Sequence, residues 1–190
     1  VAGEIDVVDR SEKFWESYHI EIHATDRYPY RYPDVYETGG KIPKIGDWHI
    51  WEDSLTCCMG ILPEEILKCQ HGISLEVFIR NEVLPYFFNQ TFRRKEGYYP
   101  NGEYAHGVSG IFQYYDQLLR MNGDVEKTII AMFFLLQIDK PGRTWECFCG
   151  SGEKYRRCHR EAVEKIKQLG NGTILHHAEL LAKTYNTNLK

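Results

Sequence analysis

Three thiols and one imidazole fall within thirteen residues, Cys147-Phe-Cys149-Gly-Ser-Gly-Glu-Lys-Tyr155-Arg-Arg-Cys158-His159. Cys and His are the usual zinc ligands, and four of them make a closed tetrahedral set. The Gly-Ser-Gly stretch lets the chain reverse, so that Cys147 and Cys149 face Cys158 and His159. A site whose four positions are all filled by protein holds a fold together and keeps none open for a substrate. The expected cofactor is therefore a structural Zn2+ ion held by these four residues, and any catalysis lies elsewhere.

A second constellation runs Asp47-Trp-His49-Ile-Trp-Glu-Asp-Ser-Leu-Thr-Cys57-Cys58-Met-Gly-Ile-Leu62-Pro63. A Cys near a His is the raw material of thiol chemistry, because the thiolate is the nucleophile and cationic neighbours raise its fraction. A buried Cys is equally well a small hydrophobe, so the loop alone leaves both readings open. Three of the six cysteines belong to the zinc motif, two are adjacent, and Cys69 is the sixth. That distribution predicts no disulfides; with no secretory signal in view, the expected location is cytoplasmic.

These residues need elements to hold them. Phe14, Tyr18, Ile20 and Ile22 alternate with Trp15, His19, Glu21 and His23, the period of a strand. Two prolines in Tyr28-Pro-Tyr-Arg-Tyr-Pro33 make a turn into Asp34-Val-Tyr-Glu, which Gly39-Gly40 ends. Residues 41–63 read as a long ordered loop of the kind that carries function. A helix follows from about Ser74, kinked at Pro85, then a loop over 93–107 and a helix over 108–121. Asp124 caps a helix to about Gln137, and Pro141-Gly142 marks a boundary. Beyond the zinc turn, helices span about 153–169 and 173–185. Glu103 and His106 read as residues at a helix start, Tyr98, Tyr99, Tyr114 and Tyr115 as packing groups, and His176-His177 as partly exposed.

Charge is unevenly spread. Residues 1–139 carry 13 Lys and Arg against 22 Asp and Glu, whereas residues 140–168 carry 8 against 4. An acidic body with a basic tail module predicts two functional parts. No apolar run reaches the roughly 18 residues of a membrane span. Phosphate-loop, dinucleotide and Ser-His-Asp signatures are absent.

The stretch from Trp145 to Arg160 resembles the SEC-C zinc motif, best known from the tail of the translocation ATPase SecA. The resemblance implies a zinc-stabilised docking knob for protein or ribosome partners. It identifies a module and not the activity of the chain.

A second resemblance covers residues 12–90. Tyr28-Pro29-x-x-x-Pro33-x-Val35, a Gly-rich loop, His49, a Cys and then helices resemble the ubiquitin-conjugating fold. The likeness is nearest to its divergent prokaryotic members from antiviral and ubiquitin-like modification operons. It implies an α+β fold, with a small antiparallel sheet and packed helices over 1–140, followed by a helical zinc module over 141–190. It also implies a bacterial enzyme that carries a C-terminal acyl group as a Cys thioester and passes it to an amine. The family's Cys-Leu-x-Ile-Leu register falls on Cys58-Met59-Gly60-Ile61-Leu62, which favours Cys58 as acceptor; counting from His49 points to Cys57 instead. His49 either orients the loop and polarises the carbonyl or simply packs against Trp48 or Trp51. The implied partners are a ubiquitin-like or other carrier protein, an activating enzyme and a protein target. The chain departs from the family in reading His49-Ile-Trp for His-Pro-Asn, and in having no clear oxyanion Asn. It also has no room before Gly3 for the first helix, which is absent or lies outside this numbering. The competing expectation is a non-catalytic scaffold with a zinc docking module. Nucleic acid binding through Arg156, Arg157, Arg160 and Lys165 is the weaker expectation, opposed by the acidic body.

Overall fold

The computed structural model describes residues 1–100, 102 and 105–185, and they form an α+β protein. Three antiparallel strands make one sheet in the order β1-β2-β3: β1 Ala2–Val8, β2 Phe14–His23 and β3 Asp34–Glu37. Period-two alternation in β2 turns Tyr18, Ile20 and Ile22 inward, opposite Ile5 of β1 and Val35 of β3 on the same face. A bulge between Val7 and Val8 breaks the register at the far end.

Helix α1 spans Leu62–Cys69. A continuous helical segment follows: α2 Leu75–Phe78, a π-turn Ile79–Val83 and α3 Leu84–Glu96. Ser74 caps it, its hydroxyl accepting from Val77 N–H at 3.3 Å. The kink expected at Pro85 takes the form of that π-turn. Proline has no N–H to give and crowds the preceding turn, and just before it Leu84 N–H reaches back five residues to Ile79 O. The expected loop at 93–107 begins later, because α3 runs on to a left-handed Gly97.

The chain divides into two compact units. The first comprises Val1–Gly60 and Glu64–Glu103. Its core joins Val7, Tyr18, Ile20, Ile22 and Val35 of the sheet to Phe78, Val83, Tyr86 and Phe87 of the long helix, with Ile42, Ile50 and Cys57 from the loop. Tyr18 and Phe87 rings lie 4.7 Å apart, and the Tyr18 hydroxyl bonds Thr91 Oγ1 at 2.9 Å, so the buried phenol is satisfied.

The second unit comprises Ile61–Pro63 and Tyr104–Lys190. It holds α4 Gly107–Leu119, α5 Val125–Gln137, α6 Arg160–Lys167 and α7 Asn171–Thr184. Asp124 caps α5 as the sequence predicts, accepting from Lys127 N–H at 3.0 Å. Leu119, Ile129, Met132, Leu135, Ile166, Ile174, Ala178 and Leu181 are all buried. The boundary expected at 140/141 thus differs from the observed division near 103. The reason is that α5 packs on α7 and α4 on α5, so helices before and after Pro141 share one apolar core. The helix expected from residue 153 starts only at Arg160, because residues 153–159 are spent on the ligand turn and a short 3-10 turn, Tyr155–Arg157. His177, read as partly exposed, is buried, while His176 is exposed. Among the described residues no helix is long and apolar enough to cross a membrane.

Candidate metal centre and cysteine loop

The Cys/His cluster is built by a short two-stranded ribbon and the start of α6. Cys147 N–H donates to Glu153 O at 2.8 Å and Tyr155 N–H to Trp145 O at 2.9 Å, which closes the Gly-Ser-Gly reversal. Cys158 and His159 follow directly, with His159 at the N-cap of α6. All four ligand atoms lie within 4.8 Å of one another. Cys149 Sγ is 3.6 Å from Cys158 Sγ, and His159 Nδ1 is 3.2 Å from Cys147 Sγ and 3.1 Å from Cys158 Sγ. Bonds of about 2.3 Å to sulfur and about 2.0 Å to nitrogen put the corners of a zinc tetrahedron about 3.8 Å (S to S) and about 3.5 Å (S to N) apart. The cluster is of that size, and its donors suit zinc.

His159 has its ring fixed from behind. Nε2 lies 2.6 Å from Leu119 O, which can only accept, so Nε2 carries the proton and Nδ1 turns its lone pair on the thiols. Burial lowers the His159 pKa, keeping the imidazole in the neutral form a metal needs. Burial pushes the Cys147 thiol up to about 12, a measure of how costly a thiolate is there without a cation. Tyr155, Val163 and Ile166 are buried in a unit that has a helical core of its own, so the four ligands are added to a core and do not stand in for one.

The cysteine loop lies in the first unit and is held in place from its start. The Glu37 carboxylate is buried and accepts from Lys41 N–H at 3.2 Å and Ile42 N–H at 3.4 Å, with Lys44 Nζ at 3.2 Å. A 3-10 turn, Gly46–Trp48, leads to His49 in the left-handed region at φ 52°. Residues 50–57 then fold back as a tight hairpin: Ile50 bridges Cys57, and Trp51 N–H donates to Thr56 O at 2.9 Å. Cys57 N–H donates to Val35 O and Cys58 N–H to His49 O, both at 2.7 Å.

Helix α3 clamps this loop. Tyr86 O–H donates to His49 O at 3.1 Å, Gln90 Nε2 to Trp48 O at 2.9 Å, and Arg93 pairs with Asp47 while lying 4.3 Å over the Trp48 ring. None of these three was singled out in the sequence. Their spacing, 86, 90 and 93, was the available signal, since it places them on one helix face.

The doublet is split by burial. Cys57 is 6% exposed and points into the core, where burial pushes its thiol up to about 11 despite the nearby Tyr86 hydroxyl. Cys58 is half-buried; burial raises its thiol, against the lowering effect of a long 3.7 Å contact to Gly60 O. A His49 ring nitrogen lies within 4.8 Å of Cys58 Sγ, and the His49 ring meets Tyr99 edge-on at 5.1 Å. Two of the three predicted catalytic residues, His49 and Cys58, are thus together, and Cys57 stands behind them. Elsewhere, His106 occupies the N-cap of α4 without a side-chain cap bond, Tyr114 and Tyr115 are buried as expected, Tyr98 is exposed, and Glu103 lies outside the described residues.

Comparison with known families gives one match: residues 146–161 fit the SEC-C motif. The match takes in all four clustered ligands and assigns no activity to the remainder of the chain. Comparisons with curated proteins and with solved structures give no match.

Proposed function

We propose that this protein is a cytoplasmic acyl carrier and transferase of the ubiquitin-conjugating type, with a structural zinc centre in its second unit. The observation that carries the reading is Cys58: a half-exposed thiol beside His49, on a loop that α3 holds through Tyr86, Gln90 and Arg93. Cys58 Sγ attacks the thioester carbonyl of a carrier protein charged on an activating enzyme. The new C–S bond forms as the old one breaks, and the thiol proton passes to the departing thiolate. A target amine then attacks the Cys58 thioester, giving an amide, and its surplus proton returns to the Cys58 sulfur. A thioester is already activated, so positioning supplies most of the rate. His49 is suited to polarise the acyl oxygen. The sequence resemblance extends this role to bacterial modification and antiviral systems.

The test uses a synthetic peptide thioester ending in Gly-Gly, with intact-mass readout under non-reducing conditions. The folded protein should gain one peptide at Cys58, faster than the urea-unfolded chain, and lose it to added thiol. Cys57→Ser should behave as wild type, and Cys58→Ser should gain no thiol-labile mass. A folded protein that reacts no faster than the unfolded chain removes the transferase. A specific observation favours a second reading, a non-catalytic scaffold: burial raises both thiols of the doublet, and the contact of Cys58 with Gly60 O does not offset it. The same experiment decides between the two.

A further inference from the structure

Trp145 precedes the zinc ligands, and its side chain is 58% exposed. Indoles this open are usually mobile, but this one rests on Gly142. A methyl group placed on Gly142 would lie 2.5 Å from Trp145 Nε1, and 2.7 Å from both Cδ1 and Cε2. Near-equal approach to three consecutive ring atoms means that Gly142 sits over the ring face, not in line with its N–H. One indole face is therefore laid flat on backbone, where only glycine leaves room. No cation of the described residues lies over the ring.

Cations stand around it nonetheless. Trp145 O accepts from Tyr155 N–H, the neighbour of Lys154 and Arg156, and Arg143 O accepts from Arg156 N–H at 3.4 Å. Arg143, Lys154, Arg156 and Arg157 are exposed, and none makes an ion pair among the described residues. Glu146 and Glu153 are the exposed carboxylates of the same ribbon. The four cations exceed these two, and still do so after the single net negative charge that three thiolates and Zn2+ would add. The second unit as a whole carries 12 Lys and Arg against 9 Asp and Glu. The acidity of the chain therefore resides in the first unit.

A run of acidic side chains would satisfy the charges but offers no ring to stack on the indole. A nucleotide chain supplies both, a phosphate for each arginine and a base for the ring. We propose that the Trp145 ribbon, with Arg143, Lys154, Arg156 and Arg157, binds single-stranded nucleic acid. Base stacking on Trp145 gives the affinity its sequence tolerance, and the phosphates give it salt dependence.

The test is fluorescence anisotropy of zinc-loaded, full-length protein with labelled oligouridylate and oligothymidylate of about twelve nucleotides. Affinity should fall steeply from about 50 to about 200 mM salt. Trp145→Ala should weaken binding about fivefold or more, and Trp145→Phe should retain most of it. Arg143→Gln with Arg156→Gln should weaken binding and flatten its salt slope. Wild-type tryptophan emission should be quenched on binding, and Trp145→Phe should lose that quench, a readout that needs no destabilised variant. Zinc content measured in each variant shows that the centre is intact. The proposal is overturned by polyglutamate competing at equal charge, by Trp145→Phe keeping the full quench, or by absence of binding at the lower salt.

Discussion

The most quantitative consequence of this fold concerns His177, which α7 buries to 1% exposure. Its Nδ1 meets the Tyr115 hydroxyl of α4 at 3.0 Å, and its Nε2 is buried with no partner among the described residues. A second proton on the ring would put a charge in that apolar setting. Burial, with exposed His176 adding to it, pushes the pKa of His177 down from 6.5 to about 4. The unfolded chain therefore takes up a proton before the folded one does. Stability is whole above pH 6.5 and is lost as pH falls from there to 4. Linkage gives almost no loss at pH 7, about 2 kcal/mol at pH 5 and a limit of about 3 kcal/mol below pH 4. His177→Gln keeps a polar group facing Tyr115 but removes the titration. Urea denaturation followed by circular dichroism, with zinc saturating, should show wild type losing about 2 kcal/mol more than His177→Gln between pH 7 and pH 5. Carboxylates and zinc ligands titrate in both proteins and cancel in the difference. Equal losses would mean that water reaches His177 and that the buried-imidazole account is wrong.

Two further outcomes follow from the sites. Elemental analysis should find one zinc per chain, and chelation should abolish hydrogen-exchange protection at Cys147 and Tyr155 N–H while α5 and α7 keep theirs, because the packing of α5 on α7 does not depend on the metal; loss of α7 protection would contradict this. Iodoacetamide should alkylate Cys58 well before Cys57, slowly at pH 7 and still accelerating at pH 9, since burial holds Cys58 as a thiol; peptide mapping that finds Cys57 labelled first would reverse the assignment of the reachable thiol.

What could be read from the sequence was what is local in it. The alternation of β2, the helix start near Ser74, the cap Asp124 and the Cys3His set each depend on spacing within one segment, so composition and period reveal them. The extent of α6 was not legible, because apolar residues at helical spacing from Tyr155 onward look like one helix. Metal-ligand geometry instead takes residues 153–159 out of it. The unit boundary was hidden for a different reason. Pro141-Gly142 is a genuine chain break, but whether a break divides units depends on what covers the apolar face of α5, and that cover is α7, some 35 residues further on. The clamp from α3 onto the cysteine loop is likewise non-local, with Tyr86 and Gln90 reaching main-chain carbonyls 37 and 42 residues away.

His159 shows why the candidate metal centre belongs to its unit and is not an appendage. Helix α4 ends at Leu119, with Arg120 in the left-handed region at φ 52°. The last carbonyls of a helix have no partner within it, and they carry the negative end of its dipole. Leu119 O is one of them, and it receives the Nε2 proton of His159 at 2.6 Å. One imidazole thus completes two incomplete structures, a helix terminus on one side and a three-thiol cluster on the other. A metal held at Nδ1 would draw electron density from the ring and make Nε2–H a stronger donor to the helix end. The carbonyl in turn raises the basicity of Nδ1 toward such a metal. The two interactions would reinforce each other, so metal occupancy would bear on the end of α4 through a single side chain.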